Sequence, residues 1–290
     1  MPVFYELSNN CMPNVIHVQI IYVTVKITSE NALTKMWPFI QATKLLSAIS
    51  HHTKTCNRTI LGSSRKKTGE KTFLIVKAHR NEYPCIIEML WKYYYPDEPT
   101  VSSLGLGQNY NPIFDQEALR YLTEGYSFVA KCRHTGDIVG ACINTSACPW
   151  DPDQLDKVAR TMKDAKLRQL YHFYAHIQRT PLLWQQYHTN KIFEMNMVFV
   201  RSGDRKKGVC EKLLDASRQF GADCGYRVIR CDATNFYTGK ICEKLKMKKV
   251  HNIPYCSYTG LDPADAPLIN APPPHTGVSV YVDLPFSQFK

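Results

Sequence analysis

The sequence predicts an α/β fold, a mixed sheet flanked by helices with an extension ahead of it, and three observations carry that expectation. From residue 71 onward, segments rich in branched and aromatic side chains take turns with segments of helical period. Residues 192–221 read in succession as a strand, a polar turn and a helix. Residues 126–146 read as two strands joined at His134, Thr135 and Gly136.

Ahead of these, residues 15–27 (VIHVQIIYVTVKI) are apolar but carry His17, Gln19 and Lys26. The run is well short of the roughly 20 apolar residues that a bilayer demands and lacks the features of a targeting signal, so a strand or packing segment is expected. Residues 51–71 are polar, basic and Gly/Ser-containing, the composition of a linker. The expected organisation is an extension over 1–70 and one domain over 71–290.

Within that domain residues 73–78 (FLIVKA) form the first strand. Pro84 suits the first turn of a helix whose face is Ile86, Ile87, Leu90 and Tyr94. Residues 115–123 form a second helix. After the hairpin come two stripes, Leu155, Val158, Ala159 and Met162, then Leu167, Leu170, Tyr171, Tyr174 and Ile177. Residues 192–200 alternate as a strand, and Val209, Leu213, Ala216 and Phe220 line a helix that Gly221 is placed to end. A strand at 226–231, a helix at 238–245 and a strand at 278–284 close the fold.

Composition narrows the function. At 290 residues and 44% hydrophobic the chain buries a large core without disulfides. Its 11 cysteines are odd in number and form no CxxC pair, which favours a reduced, cytoplasmic chain over a disulfide framework or zinc site. His172, His176 and His188 lack an HExxH context, so no metal is expected. The net charge of +11 is spread among interleaved acids, which points to a solvated surface with one local anion site; neither nucleic acid nor membrane is expected as a partner.

That anion site is the turn Arg205, Lys206, Lys207 and Gly208. It opens a helix, where unpaired N–H groups and the positive end of the macrodipole favour an anion, and Gly208 lets a phosphate approach the backbone. The same run also reads as a solvated charge cluster. Likewise Asp97, Glu98 and Pro99, taken alone, read as a turn between helices.

Arg205-x-x-Gly208-x-Cys210, opening a helix after a strand, resembles the acetyl-CoA pyrophosphate loop of the GNAT N-acetyltransferase superfamily, Arg/Gln-x-x-Gly-x-Gly/Ala. More narrowly, YYYPDEPTVSSLGL at 93–106 is similar to the PDEPL and LGL stretch of the insect-type arylalkylamine (dopamine) N-acetyltransferases. TPLLWQQYHTNKIFEMNMVFV, ATNFYTGKICEKLKM and APPPHTGVSVYVDL resemble that family's run into its central strand, its Ser-x-x-x-Ser and EKLGF segment, and its closing strand. The resemblance spans roughly residues 72–284 and implies a GNAT-like sheet.

It also implies acetyl transfer from acetyl-CoA to the primary amine of an arylalkylamine of the dopamine, tryptamine, serotonin or octopamine kind. That chemistry needs a neutral amine, a polarised thioester carbonyl and a proton for the leaving thiolate. Glu98 matches the family's general base. The family's two serines match Thr234 and Thr238, which keep the hydroxyl; the alternative is a helix cap and a first-turn hydroxyl. The tyrosine of many superfamily members falls on Cys242.

Met197, Val198, Phe199 and Val200 are expected to pair their backbone with the arm of acetyl-CoA. Arg205, Lys206, Lys207, Gly208, Val209 and Cys210 are expected to hold its pyrophosphate, with Asn235 in the cofactor set. Trp91, Tyr93, Tyr94, Tyr95 and Tyr110 offer flat walls for an aromatic amine, although helical spacing assigns part of this cluster to the core. The expected state is a monomer. Departures at Cys210, Thr234, Thr238 and Lys246 leave open a fold relative that binds acetyl-CoA with little turnover, or one that acetylates a different amine. Charge alone leaves open an association with nucleic acid.

Overall fold

Residues 72–260 and 266–285 are described in a computed structural model. The expected strand at 15–27, the linker at 51–71 and the extension over 1–70 lie outside the described residues. In chain order the elements are β1 Phe73–Lys77, α1 Tyr83–Tyr93, α2 Pro99–Ser103, α3 Pro112–Thr123, β2 Phe128–Cys132, β3 Ile138–Ala147, α4 Asp151–Thr161, α5 Ala165–Arg179 and α6 Leu183–Gln186. Then come β4 Ile192–Val200, α7 Val209–Asp223, β5 Ile229–Ala233, α8 Phe236–Lys244, β6 Lys248–Pro254 and β7 Gly277–Asp283.

The strands build one sheet in the order β1-β2-β3-β4-β5-β7-β6. All neighbours are antiparallel except β4 and β5. Helix starts follow local chemistry: Asn111 caps α3 by accepting from Ile113 N at 3.0 Å, and Asp164 caps α5 by accepting from Lys166 and Leu167 N. Both faces of the sheet are buried. One packs Ile143, Met197 and Phe199 against α1, α3, α4 and α5, and the other packs Cys142, Phe193 and Met195 against α7 and α8.

Two features of β4 shape the surface it presents. Its pairing with β5 is limited to Phe193 opposite Ile229 and Glu194 opposite Arg230, so the strands part beyond Glu194 and leave that edge of β4 open. The register with β3 also slips between Ile143 opposite Met197 and Asn144 opposite Met195, which makes Asn196 the extra residue of a β-bulge. The slip reverses the strand's alternation: Phe193 and Met195 face one core, while Met197 and Phe199 face the other.

Several expectations are corrected. Gly221 does not end its helix; it lies inside α7, where a Cβ would stand 2.9 Å from the Phe193 ring, and Gly225, at φ +81°, follows the helix instead. The strand expected at 226–231 begins at Ile229, the helix expected from 115 begins at Pro112, and Val158 is exposed. The short helices α2 and α6 and the edge strand β6 are additions.

Candidate active site

Glu98 is set by a turn closed at both ends by proline. The N–H groups of Asp97 and Glu98 both donate to Tyr94 O, at 3.0 and 2.8 Å, and Pro99 opens the single turn of α2. Glu98 caps that turn: its Oε1 accepts from Thr100 N at 3.3 Å and Thr100 Oγ1 at 2.9 Å. Its Oε2 accepts from Thr234 Oγ1 at 3.0 Å, across 136 residues of chain. The turn reading and the functional reading therefore describe two oxygens of one carboxylate. Only 5% of Glu98 is exposed, and burial pushes its carboxyl above the ordinary range, partly offset by the hydrogen bonds from Thr100 and Thr234.

Thr234 leaves β5 just before α8, and its own carbonyl accepts from Tyr255 OH at 2.7 Å. The helix cap is Asn235, whose Oδ1 accepts from Tyr237 N at 2.9 Å, so the capping alternative for Thr234 does not hold. Thr238 lies half-buried in the first turn of α8 and makes no hydrogen bond to Glu98 or Thr234. Cys242 is fully buried in the core under α7 and α8, beside Cys231 and away from the cavity.

Glu98 and Thr234 line a cavity of about 70 Å³. Tyr94, Tyr95, Phe114 and Tyr174 supply aromatic wall, and Asn196 and Met197 of the bulge reach it from the sheet. Of the other expected aromatics, Trp91 packs on Tyr95 and Phe114 and donates to Asp115 at 2.6 Å, while Tyr110 is 68% exposed.

The same cavity contains acids that sequence reasoning missed, Glu117 on α3, Glu194 on β4 and Asp232 on β5. Glu194 reads in sequence as the one charged residue of an otherwise largely apolar strand, which was the one available signal. It is 4% exposed, and its carboxyl is pushed up to about 7, first by burial and then by Asp232, with Arg230 pulling the other way. A folded-state value above that of the unfolded chain means the native state holds the extra proton. Its contribution to stability is thus complete below the unfolded value and lost as pH rises through about 7. Glu194→Gln, which cannot ionise, is expected to gain on the parent between pH 5 and pH 8 by on the order of 2 kcal/mol, at about 1.4 kcal/mol per pKa unit. Urea unfolding of both proteins across that range checks it; parallel curves would remove Glu194 as the cause.

On the other side of the site, the open edge of β4 runs toward the basic turn. Lys206 and Gly208 both adopt left-handed backbone, at φ 63° and 77°, and Gly208 is the residue before α7. The first N–H groups of α7, from Val209 on, have neither an intrahelical partner nor a side-chain cap. Val209 is buried, and Cys210 packs toward the core beside Cys142 and Cys242, so its side chain does not occupy the loop.

Lys207 and Arg201 both pair with Asp204, at 2.9 and 2.7 Å. Arg205 donates to Val200 O and, at 2.7 Å, to Asp97, tying the basic turn to the turn that carries Glu98. Met197, Phe199 and Val200 are buried and Val198 half-buried, so the open edge offers backbone rather than side chains. No helix among the described residues is long and apolar enough to cross a membrane.

No family model matches the chain, and no curated protein matches it. Solved structures do. The mosquito arylalkylamine N-acetyltransferase-like 5b superposes with a TM-score of 0.68 at 22% identity, over 73% of this chain and 99% of that one. Arylalkylamine N-acetyltransferase 2 from Aedes aegypti gives 0.68 at 24% identity with the same coverage. The polyamine N-acetyltransferase of Drosophila melanogaster, described as catalysing the formation of N-acetylagmatine, gives 0.64 at 21% identity, again over 73% and 99%. The chain has the fold of these enzymes, a GNAT sheet flanked by helices.

Proposed function

We propose that the protein transfers the acetyl group of acetyl-CoA to a primary amine, with arylalkylamines as the first acceptor class to test. The observation that carries this reading is the hydrogen bond between Thr234 and the buried carboxylate of Glu98, inside a cavity that adjoins the open edge of β4. Acetyl-CoA supplies the activated acyl thioester.

Glu98, raised by burial, accepts a proton from the ammonium form of the acceptor and leaves a neutral nucleophile. Thr234, already donating to Glu98, is placed to pass that proton toward the departing sulfur, so one carboxylate and one hydroxyl serve both ends of the reaction. The unpartnered backbone edge of β4 suits an amide-bearing arm, and the uncapped start of α7 suits its pyrophosphate. Arg205, Lys206, Lys207 and Asn235 complete the proposed cofactor contacts. The aromatic walls Tyr94, Tyr95, Phe114 and Tyr174 support a flat acceptor.

A thiol-release assay on the full chain, with acetyl-CoA and a panel of tryptamine, dopamine, octopamine and aliphatic amines, tests the proposal. Release that depends on the amine is expected. Coenzyme A binding with no release for any amine would instead favour a binding protein of the same fold.

A further inference from the structure

The Glu98 carboxylate accepts from two threonines, and acetyl transfer as proposed above uses only Thr234. The other is Thr100, which stands where the PDEPL stretch of the insect-type enzymes carries leucine. Thr100 is fully buried, at 0% exposure, and its Oγ1 donates to Glu98 Oε1 at 2.9 Å. A leucine at this position keeps the backbone N–H that caps the turn but has no hydroxyl to give.

Thr100 Oγ1 also lies 3.3 Å from Tyr174 OH. A hydroxyl has one proton to give, and while Glu98 is ionised that of Thr100 goes to the carboxylate, which can only accept. The remaining contact therefore runs from Tyr174 to Thr100. Tyr174 keeps the proton this needs, because burial, and after it the nearby Glu98 charge, raises its phenol far above the ordinary range. Its ring lines the cavity and packs on Tyr171, with centroids 6.1 Å apart, and phenylalanine would serve that packing equally well. The hydroxyl has a separate use. Tyr255 stands in a matching place behind Thr234, donating to its carbonyl at 2.7 Å.

We infer, resting on the acetyltransferase reading, that Tyr174 is a positioning residue for the base: its hydroxyl donates to Thr100, whose hydroxyl holds Glu98 Oε1 and leaves Oε2 to Thr234 and the incoming amine. Donors to the ionised form make a carboxyl more acidic. Burial is the largest influence on Glu98 and raises it, and the Thr100 hydroxyl is the largest influence opposing that rise. The relay thus lets Glu98 become a base at a lower pH than burial alone would allow. The other titratable groups that face Glu98 are the phenols of Tyr94 and Tyr255, kept protonated by burial, and across the cavity the carboxyls of Glu117, Glu194 and Asp232. All three acids are raised by burial, Glu194 to about 7, so a test has to tell them from Glu98.

Carbon-13 NMR of the full chain, labelled at the glutamate carboxyls, makes that separation. Asp232 is unlabelled, and the Glu98 resonance is the one missing from Glu98→Gln. Thr100→Val, which keeps the shape and loses the hydroxyl, is expected to raise the Glu98 midpoint by about one pH unit, and Tyr174→Phe, one bond further away, by about half of that. Because Tyr174 acts through Thr100, the double variant should match Thr100→Val alone, whereas a purely structural role for Tyr174 would add its own effect. The acidic limb of kcat/KM should move to higher pH in step with the NMR midpoint.

An unmoved midpoint in Tyr174→Phe overturns the inference, as does a double variant whose shift is the sum of the two. If Tyr174→Phe does not fold, Thr100→Val and Thr100→Ser decide: valine must raise the midpoint and serine, which keeps the hydroxyl, must not, and any other outcome breaks the relay at Thr100. The midpoint is read without turnover, so failure of the acetyltransferase reading is separate. It appears as absent thiol release from acetyl-CoA with every amine, whatever the NMR shift.

Discussion

Glu98→Gln is expected to lower turnover with the best acceptor by roughly two to four orders of magnitude, the usual contribution of general acid–base catalysis, with coenzyme A affinity little changed. The substitution separates chemistry from architecture. Glutamine keeps a carbonyl oxygen that accepts from Thr100 N, so the cap on α2 is retained, while the group that takes the proton is gone. Circular dichroism and the unfolding midpoint should therefore stay close to those of the parent.

The pH profile supplies a second reading. Burial raises the Glu98 carboxyl, and only its ionised form is a base, so kcat/KM should fall as pH drops through a midpoint above the ordinary carboxylate range. That acidic limb should be missing from the residual activity of Glu98→Gln. Asp97→Asn is the control, because Asp97 is exposed and its pair with Arg205 is solvent-screened; its effect on turnover should be several-fold at most. Equal losses in the two variants, or an unchanged rate in Glu98→Gln, would take Glu98 out of the chemistry.

Much of the scaffold was legible because period and capping act locally. The strand at 192–200, the hairpin, Pro84 and the helix opening at Val209 all stand where alternation, helical spacing and proline placed them. Strand β6 was hidden because KKVHNIP carries the lysines and the terminal proline of an edge strand rather than an apolar alternation. Gly221 was misread because a glycine that lets a ring pack closely looks the same in sequence as one that ends a helix.

The site was less legible than the scaffold. Glu98 and Thr234 were named through resemblance, and their contact depends on tertiary structure across 136 residues. The bulge at Asn196 left no signature in IFEMNMVFV, because a one-residue slip exchanges faces without changing composition. Glu117, Gln178, Glu194 and Asp232 come from two helices and two strands, and no local pattern could gather them.

Gly208→Val is expected to weaken coenzyme A binding by about a hundredfold, and Lys206→Ala by no more than a few-fold. The difference follows from what each residue offers. Lys206 is exposed and contributes a salt-screened attraction, whereas Gly208 holds the start of α7 in a left-handed conformation, at φ 77°, ahead of N–H groups that no side chain caps. A Cβ at Gly208 would meet nothing within 4 Å, so the protein itself leaves room; the penalty is the strain of a β-branched residue in left-handed backbone, together with a side chain standing where a phosphate would approach. Gly208→Asn separates these terms, since asparagine tolerates the left-handed region. If it binds almost as poorly as the valine variant, obstruction dominates; if it binds like the parent, strain does. Titration with coenzyme A, on proteins that keep the parent's circular dichroism, reads all three. Should Gly208→Val bind as tightly as the parent while Lys206→Ala does not, the turn is a charge patch, and the acetyl-CoA reading built on it falls.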